Sequence, residues 1–163
     1  MKLARFSHGG DARLGLVVAG DGIVDLTRRL DGKPSDMIAL IAGWPRLRGA
    51  VADLQTGPAD HALSTVKLLA PVARPPKIFA IGLNYADHCA ESGLEIPKQQ
   101  TWFSKAATAV NGPFDPIELP AVSEQLDYEC EMVAVIGKRC RNVPRDRAKE
   151  AVFGYCVGDD VSV

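Results

Sequence analysis

The chain has 163 residues, of which 47% are hydrophobic and 24% charged, so it can bury a folded core and is not a disordered chain. Its 19 Lys and Arg residues nearly balance 20 Asp and Glu residues, and the net charge of -1 gives no basic field for binding nucleic acid or an anionic membrane. The sequence has no apolar run long enough to span a membrane and no signal-peptide core at its start, so we expect a cytoplasmic protein.

The first 70 residues predict a small domain that mixes strands and helices. Short apolar runs with turn residues between them predict strands over 2–6, 14–19 and 23–26, the last two joined by a Gly-Asp-Gly hairpin. Helices are expected over 35–43, ending at Gly43, and over 46–55, ending before Gly57-Pro58.

Three prolines between Pro71 and Pro76 interrupt any helix or central strand and predict a domain boundary. We therefore expect one domain over 1–70 and a second over 74–163. Over the second domain the sequence predicts, in chain order, a buried strand over 77–85, a short helix over 86–93, strands over 101–110 and 126–138, a helix over 145–153 and a strand over 155–163. The expected fold class is α+β, mostly β.

The most informative segment is the predicted strand over 126–138, because it carries two glutamates. Side chains alternate between the faces of a strand, so Glu129 and Glu131 share one face, next to two valines. The other face is expected to be a core stripe, formed by Tyr128, Cys130, Met132, Ala134 and Ile136. Two adjacent glutamates repel each other unless a cation lies between them or water screens them, so an exposed strand end is the alternative.

Asp159 and Asp160 form a second acidic pair, in a segment that otherwise looks like a strand. If Asp160 meets Glu129 and Glu131, three carboxylates form a site of oxygen ligands suited to Mg²⁺, Mn²⁺ or Ca²⁺. A strand terminus or turn is the alternative interpretation of the aspartate pair.

A third candidate is the short predicted helix over 86–93, where His88 and Glu91 are three residues apart and share a face. A carboxylate beside an imidazole can fix its tautomer and support it as a general base, although such pairs also occur as plain surface contacts.

The remaining histidines and the cysteines suggest no site of their own. His8 and His61 are expected at the surface. The cysteines form no CxxC pair and are expected to be free thiols packed as small apolar side chains; they are Cys89, Cys130, Cys140 and Cys156. A nucleophilic Cys89 beside His88 is a weaker alternative.

Four stretches of the second domain together resemble the catalytic domain of the fumarylacetoacetate hydrolase family, in order and in spacing. They are KIFAIGLNYADHCAE, FSKAATAVNGPFDPIELP, LDYECEMVAVIGKRCRNV and GYCVGDDVS. The first 70 residues are similar to the small leading domain of many bacterial members. The resemblance implies a mixed β-sandwich roll that usually dimerises, with this chain holding the first part of it.

The resemblance also implies roles for particular residues. Glu129, Glu131 and Asp160 match the family's metal ligands, and His88 and Glu91 match its water-activating pair. Mg²⁺ is the expected cofactor, with Mn²⁺ or Ca²⁺ as alternatives. Lys105 is a further candidate, for holding an anionic group of the substrate, with a solvated lysine at a strand end as the alternative.

The activity that the resemblance implies is metal-dependent hydrolysis of a C–C bond in a small acylpyruvate or 2,4-dioxo acid, as in aromatic compound catabolism. In this reaction the metal stabilises an enolate and His88, oriented by Glu91, activates a water. The alternatives are an isomerase or decarboxylase of the 2-hydroxyhepta-2,4-diene-1,7-dioate or oxaloacetate type, and an inactive fragment or binding module. The same resemblance suggests that the chain stops within the catalytic domain, before a family lysine, and exposes strand edges and apolar faces.

Overall fold

The computed structural model describes residues 1–163 and confirms a mixed α+β chain in which strands outnumber helices. The strands are β1 (Lys2–His8), β2 (Asp11–Val18), β3 (Gly22–Asp25), β4 (His61–Ala62), β5 (Lys67–Leu69), β6 (Ile78–Gly82), β7 (Thr101–Lys105), β8 (Cys130–Ile136) and β9 (Val152–Asp159). The α-helices are α1 (Leu26–Arg29), α2 (Met37–Asp53) and α3 (Ala86–Glu91). Short 3₁₀-helices cover Leu54–Thr56, Leu63–Thr65, Ala107–Ala109 and Arg145–Ala151. No helix is long and apolar enough to cross a membrane.

The chain forms two compact units, one of residues 1–73 with 111–163 and one of residues 74–110. The predicted domain boundary after residue 70 divides the chain along the sequence, whereas these units are defined by contacts in space. The boundary therefore stays a prediction.

The first unit contains a five-stranded antiparallel sheet with the order β4-β3-β2-β1-β5. The three strands expected near the start of the chain are therefore confirmed. The turn between β2 and β3 places Gly20 and Asp21 in the left-handed region, at φ of 75° and 53°, where glycine and aspartate are tolerated best.

Helix α2 corrects the prediction of two helices over 35–43 and 46–55, because it continues through Gly43 and Pro45. Its first turn is capped by Asp36, whose carboxylate accepts a hydrogen bond from the Ala39 N–H at 2.8 Å. The reason for its continuity is packing. A buried cluster covers one side of the sheet and consists of Leu14, Leu16, Val24, Leu26, Leu30, Met37, Leu40 and Val51. Each such side chain contributes about 1.5–3 kcal/mol on burial, so the cluster offsets the roughly 3 kcal/mol that an interior proline costs.

The segment before β9 is a 3₁₀-helix that ends at Ala151, so the helix expected over 145–153 is shorter than predicted. Phe153 already lies in β9 and packs against the buried cluster. Its ring meets Trp44 edge to face, with 5.2 Å between centroids. This packing favours extended backbone at a position where the sequence pattern suggested a helix.

Strand β6 pairs with β7 in a separate two-stranded sheet of the second unit, and the prediction that it is a buried strand is wrong for most of its length. Only Ala80 is buried, and Phe79 is exposed beside Trp102, with 6.2 Å between their rings. The strand over 101–110 is also shorter than predicted and ends at Lys105.

Strands β8 and β9 form a two-stranded antiparallel sheet of their own. The face expected to be a core stripe is exposed instead, because a sheet of two strands leaves it uncovered. Its side chains are Tyr128, Cys130, Met132, Ala134 and Ile136.

Two further sequence expectations need correction. All four cysteines are free, as predicted, but Cys130 and Cys140 are exposed rather than packed. His61 is half-buried rather than on the surface. Its ring stacks on the His8 ring with 4.2 Å between centroids and lies tilted beside the Phe6 ring with 6.0 Å between centroids.

Candidate metal centre and its surroundings

The pairing of β8 with β9 brings the predicted ligands together. Cys130 lies opposite Asp159, and Glu131 lies opposite Gly158. Extending this register by one residue places Glu129 opposite Asp160. The Asp160 N–H donates to the Glu129 carbonyl at 2.9 Å, which fixes this pair. Glu131 lies two residues further along the strand and shares the face of Glu129.

The pairing continues beyond the two strands and holds the end of the site. Asp127 and Ser162 form an isolated antiparallel bridge. The Asp127 N–H donates to the Ser162 carbonyl at 2.9 Å, and the Ser162 N–H donates to the Asp127 carbonyl at 3.2 Å. The segment that carries Glu129 is therefore tied to the segment that carries Asp160 on both sides of the ligand pair.

One carboxylate oxygen each of Glu129, Glu131 and Asp160 lies within 4.8 Å of the others. Mg²⁺ and Ca²⁺ bind oxygen at roughly 2.0–2.6 Å, so two ligands of one ion lie at most about 5 Å apart. The three oxygens satisfy this limit, and an all-oxygen set suits a hard divalent cation. Asp160 is only 9% exposed and the two glutamates are half-buried. Three negative charges held this close and partly away from water repel one another, and a cation compensates them.

The neighbouring thiols are poor ligands or nucleophiles. Cys130 belongs to the opposite face of β8, as the alternation predicts. Cys156 lies opposite Val133 on the face of the glutamates, and its partial burial raises the pKa of the thiol. A thiol that stays protonated is a weak ligand and a weak nucleophile.

His88 and Glu91 lie on α3 in the second unit, and both are exposed. The helix ends at Glu91, two residues before the predicted end at residue 93, and Gly93 adopts a left-handed φ of 65° just beyond it. The Gly93 N–H donates to the Ala90 carbonyl and the Leu94 N–H donates to the Cys89 carbonyl. These two hydrogen bonds are the pattern of a Schellman cap. Six residues make less than two turns, and positions three apart lie on the same side of such a helix.

Cys89 of α3 is 1% exposed and contacts the turn that leads into the helix. Its thiol lies 3.7 Å from the Leu83 carbonyl, and Leu83 adopts a left-handed φ of 55°. Cys89 is thus buried under the helix while its neighbour His88 faces outward, which argues against a Cys89–His88 nucleophilic pair.

Lys105 is the last residue of β7, opposite Ile78 of β6, and it is half-buried. It belongs to the unit of residues 74–110, with His88 and Glu91, whereas the three carboxylates belong to the other unit.

Sequence reasoning gave Asp159 no role. The structure places its carboxylate 2.9 Å from the Glu129 N–H, which donates to it. The adjacent pair Asp159-Asp160 could have indicated a separate role for Asp159. Neighbouring residues of a strand point to opposite faces, so only one of two adjacent aspartates can join the glutamates.

Comparison with known proteins decides the family. The C-terminal domain of fumarylacetoacetate hydrolase matches residues 77–163, which is more than half of the chain. The chain belongs to the fumarylacetoacetate hydrolase family. A second match, to the Rv2993c-like N-terminal domain, covers residues 1–71.

Relatives within the family carry out several reactions. The mitochondrial oxaloacetate tautomerase of Xenopus laevis is 37% identical over 99% of this chain and 52% of its own. The maleylpyruvate hydrolase from Sphingobium sp. SYK-6, solved with manganese(II) and pyruvate, is 38% identical with a TM-score of 0.80, over 100% of this chain and 59% of its own. The 5-carboxymethyl-2-hydroxymuconate delta-isomerase from Mycobacterium smegmatis is 30% identical with a TM-score of 0.68, over 99% of this chain and 55% of its own. The chain thus spans about half the length of the curated relatives it matches.

Proposed function

We propose that this chain supplies the divalent-metal centre of an enzyme of the fumarylacetoacetate hydrolase family that acts on a small 2-oxo or 2,4-dioxo acid. The observation that carries the proposal is the approach of three carboxylate oxygens to within 4.8 Å, with Asp160 buried among them. Glu129, Glu131 and Asp160 would hold the ion, and the relative solved with manganese(II) and pyruvate supports both the kind of metal and the kind of ligand.

The proposed reaction is hydrolysis of a C–C bond in an acylpyruvate. A divalent cation supplies Lewis acidity, which stabilises the negative charge that develops on the substrate oxygens. His88, with its imidazole oriented by Glu91 on the same side of α3, takes a proton from water as the water oxygen bonds to the distal carbonyl carbon. The C–C bond to the pyruvate part then breaks, its electron pair stays on that part as an enolate, and the proton held by His88 returns to the enolate carbon to give pyruvate and a carboxylic acid. Lys105 carries a positive charge that suits an anionic end of the substrate.

Tautomerisation or isomerisation is the second candidate, because relatives named as an oxaloacetate tautomerase and a delta-isomerase match the whole of this chain. These reactions move a proton and need no attacking water, so they depend on His88 in a different way.

The metal centre is tested first, with Mn²⁺ and the intact chain in isothermal titration calorimetry. Glu131→Gln and Asp160→Asn keep side-chain size and remove one charge each, and we expect the affinity for Mn²⁺ to fall about tenfold or more because the ligand set loses one negative charge. Glu124→Gln is the matched control, because Glu124 is exposed and outside the cluster. Equal affinity in all four proteins would contradict the metal centre.

The reaction type is tested with His88→Ala, assayed on acetylpyruvate for hydrolysis and on enol-oxaloacetate for tautomerisation. Loss of a positioned general base lowers hydrolysis by about 10²–10⁴-fold. Glu95→Ala is the control, since Glu95 is exposed and lies beyond the Schellman cap. Hydrolysis that survives in His88→Ala would remove His88 from the reaction. Tautomerisation without hydrolysis in the unmodified chain would favour the second candidate, and Mn²⁺ binding without either activity would favour a binding module.

A further inference from the structure

The backbone of Glu129 is held by two different partners at the edge of the metal centre. Its carbonyl accepts from the Asp160 N–H at 2.9 Å, as the strand register requires. Its N–H donates to the carboxylate of Asp159, also at 2.9 Å. Opposite residues of an antiparallel pair alternate between exchanging both hydrogen bonds and exchanging none. Asp127 and Ser162 exchange both, so Glu129 and Asp160, two residues further along, also occupy a bonded position, and the Asp159 side chain takes up the N–H that points toward the ladder there.

The two adjacent aspartates therefore have different roles. Asp160 points to the glutamate face and joins the cluster. Asp159 is the last residue of β9, is exposed, and lies opposite Cys130. Alternation therefore keeps its carboxylate out of the ligand set and leaves it to bind the main chain of a ligand residue.

We propose that Asp159 is a positioning residue of the metal centre: by accepting the Glu129 N–H it fixes the backbone from which that ligand projects. The inference rests on the proposed metal centre and adds to it a residue that contacts neither metal nor substrate. Groups that orient metal ligands typically change metal affinity about 10–100-fold when they are removed.

The role depends on an acceptor oxygen and not on charge, and this makes it testable by a pair of substitutions. Asp159→Asn keeps an oxygen that can accept the Glu129 N–H but removes the negative charge. Asp159→Ala removes both. If Asp159 instead attracted the cation through its charge, the two variants would lose affinity alike.

The first measurement is Mn²⁺ affinity by isothermal titration calorimetry in the intact chain. We expect Asp159→Ala to bind Mn²⁺ about tenfold or more weakly than the unmodified chain, and Asp159→Asn to bind it within about threefold. Asp127→Ala is the matched control, because the Asp127 carboxylate accepts only the N–H of the next residue, Tyr128, at 2.9 Å, and links no strands. Asp159→Ala that binds as well as the unmodified chain, or Asp159→Asn that binds as weakly as Asp159→Ala, would overturn the proposal.

The second measurement is hydrogen exchange of the Glu129 amide in the metal-free chain, followed by NMR. Protection is expected in the unmodified chain and in Asp159→Asn, and faster exchange in Asp159→Ala, while the amide of Asp160 keeps its protection. Uniformly faster exchange in Asp159→Ala would mean loss of fold rather than loss of one contact, and would overturn the local role. Since this readout needs no metal, it separates the two hypotheses. A chain that binds no Mn²⁺ but shows this exchange pattern would refute the metal centre and leave the Asp159–Glu129 contact established as a structural bond only.

Discussion

At the scale of single residues, Asp25 is a carboxylate of the first unit that is fully buried and therefore needs a counter-charge. Its side chain is 0% exposed and forms an ion pair with Arg13, with 2.9 Å between Nη1 and Oδ2. Its N–H donates to the carboxylate of Asp60 at 2.8 Å, and Asp60 in turn pairs with Arg29. The hydrogen bond from Arg29 holds the pKa of Asp60 below its usual range, so the carboxylate that accepts from the Asp25 N–H keeps its charge further into acid.

We expect Arg13→Met to lower the free energy of unfolding by about 3–5 kcal/mol, because it leaves a buried carboxylate without its counter-charge. Urea unfolding at pH 7 measures this. Arg48→Met is the control, since Arg48 is exposed on α2 and should change stability by less than about 0.5 kcal/mol. Adding Asp25→Asn to Arg13→Met should recover part of the loss. Equal stability of Arg13→Met and Arg48→Met would show that the buried pair contributes nothing.

The residue scale also shows where sequence reasoning succeeds and where it stops. Alternation along one strand was enough to predict that Glu129 and Glu131 share a face, and the pairing of β8 with β9 brings Asp160 to them. The bond from Glu129 to Asp159 could not be predicted, because it joins a side chain to a main-chain group across two strands. Asp25 looked like an ordinary strand residue because its partner Arg13 lies across a hairpin. Such contacts depend on the orientation of a particular rotamer, which a residue pattern does not record.

At the scale of elements, α2 shows tertiary packing overriding local signals. Gly43 was predicted to end one helix before a second began at residue 46, yet a single helix covers Met37–Asp53 with Pro45 inside. Proline donates no hydrogen bond to the carbonyl four residues back and crowds it. Pro45 is exposed, so its ring adds little packing in return.

We therefore expect Pro45→Ala to stabilise the chain by about 1–3 kcal/mol, by restoring the helical hydrogen bond to the Ile41 carbonyl. Thermal unfolding followed by circular dichroism measures the shift, with Arg46→Ala as a control at the adjacent exposed position. A midpoint for Pro45→Ala that stays at or below that of Arg46→Ala would mean that a proline-adapted bend is needed for packing of the helix.

Elements in the second half of the chain were predicted less well, for a related reason. The strand over 77–85 and the stripe on β8 were expected in the core because their residues are apolar. Hydrophobicity shows that a face requires cover but not which element provides it, and here most of these side chains remain exposed. The short helix before Gly93, whose end depends only on residues next to it in sequence, was predicted to within two residues of its observed end.

At the scale of the whole molecule, β8 and β9 present two faces of opposite character. One face carries Glu129 and Glu131 beside Asp160, and the other carries mainly apolar side chains, with Asp159 at its end. Met132 and Val157 lie directly opposite each other in the register and are both 77% exposed, with Tyr155 beside them. A contiguous exposed apolar patch on a folded chain attracts other apolar surfaces.

We expect the chain to bind the dye 8-anilinonaphthalene-1-sulfonate and to associate at raised concentration, since both reduce the apolar area in contact with water. The double variant Met132→Lys with Val157→Lys should reduce dye fluorescence and shift light scattering toward the monomer. Val122→Lys is the control, because Val122 is 90% exposed but lies in a loop away from both strands. An equal reduction in Val122→Lys would show that added charge, and not the loss of this exposed apolar face, is responsible. Mn²⁺ affinity should stay within about threefold in the double variant, because alternation places both substitutions on the face that carries no ligand. Loss of a group that orients a ligand would instead lower the affinity about tenfold or more. A parallel loss of metal binding would show that the two faces of this sheet are not independent.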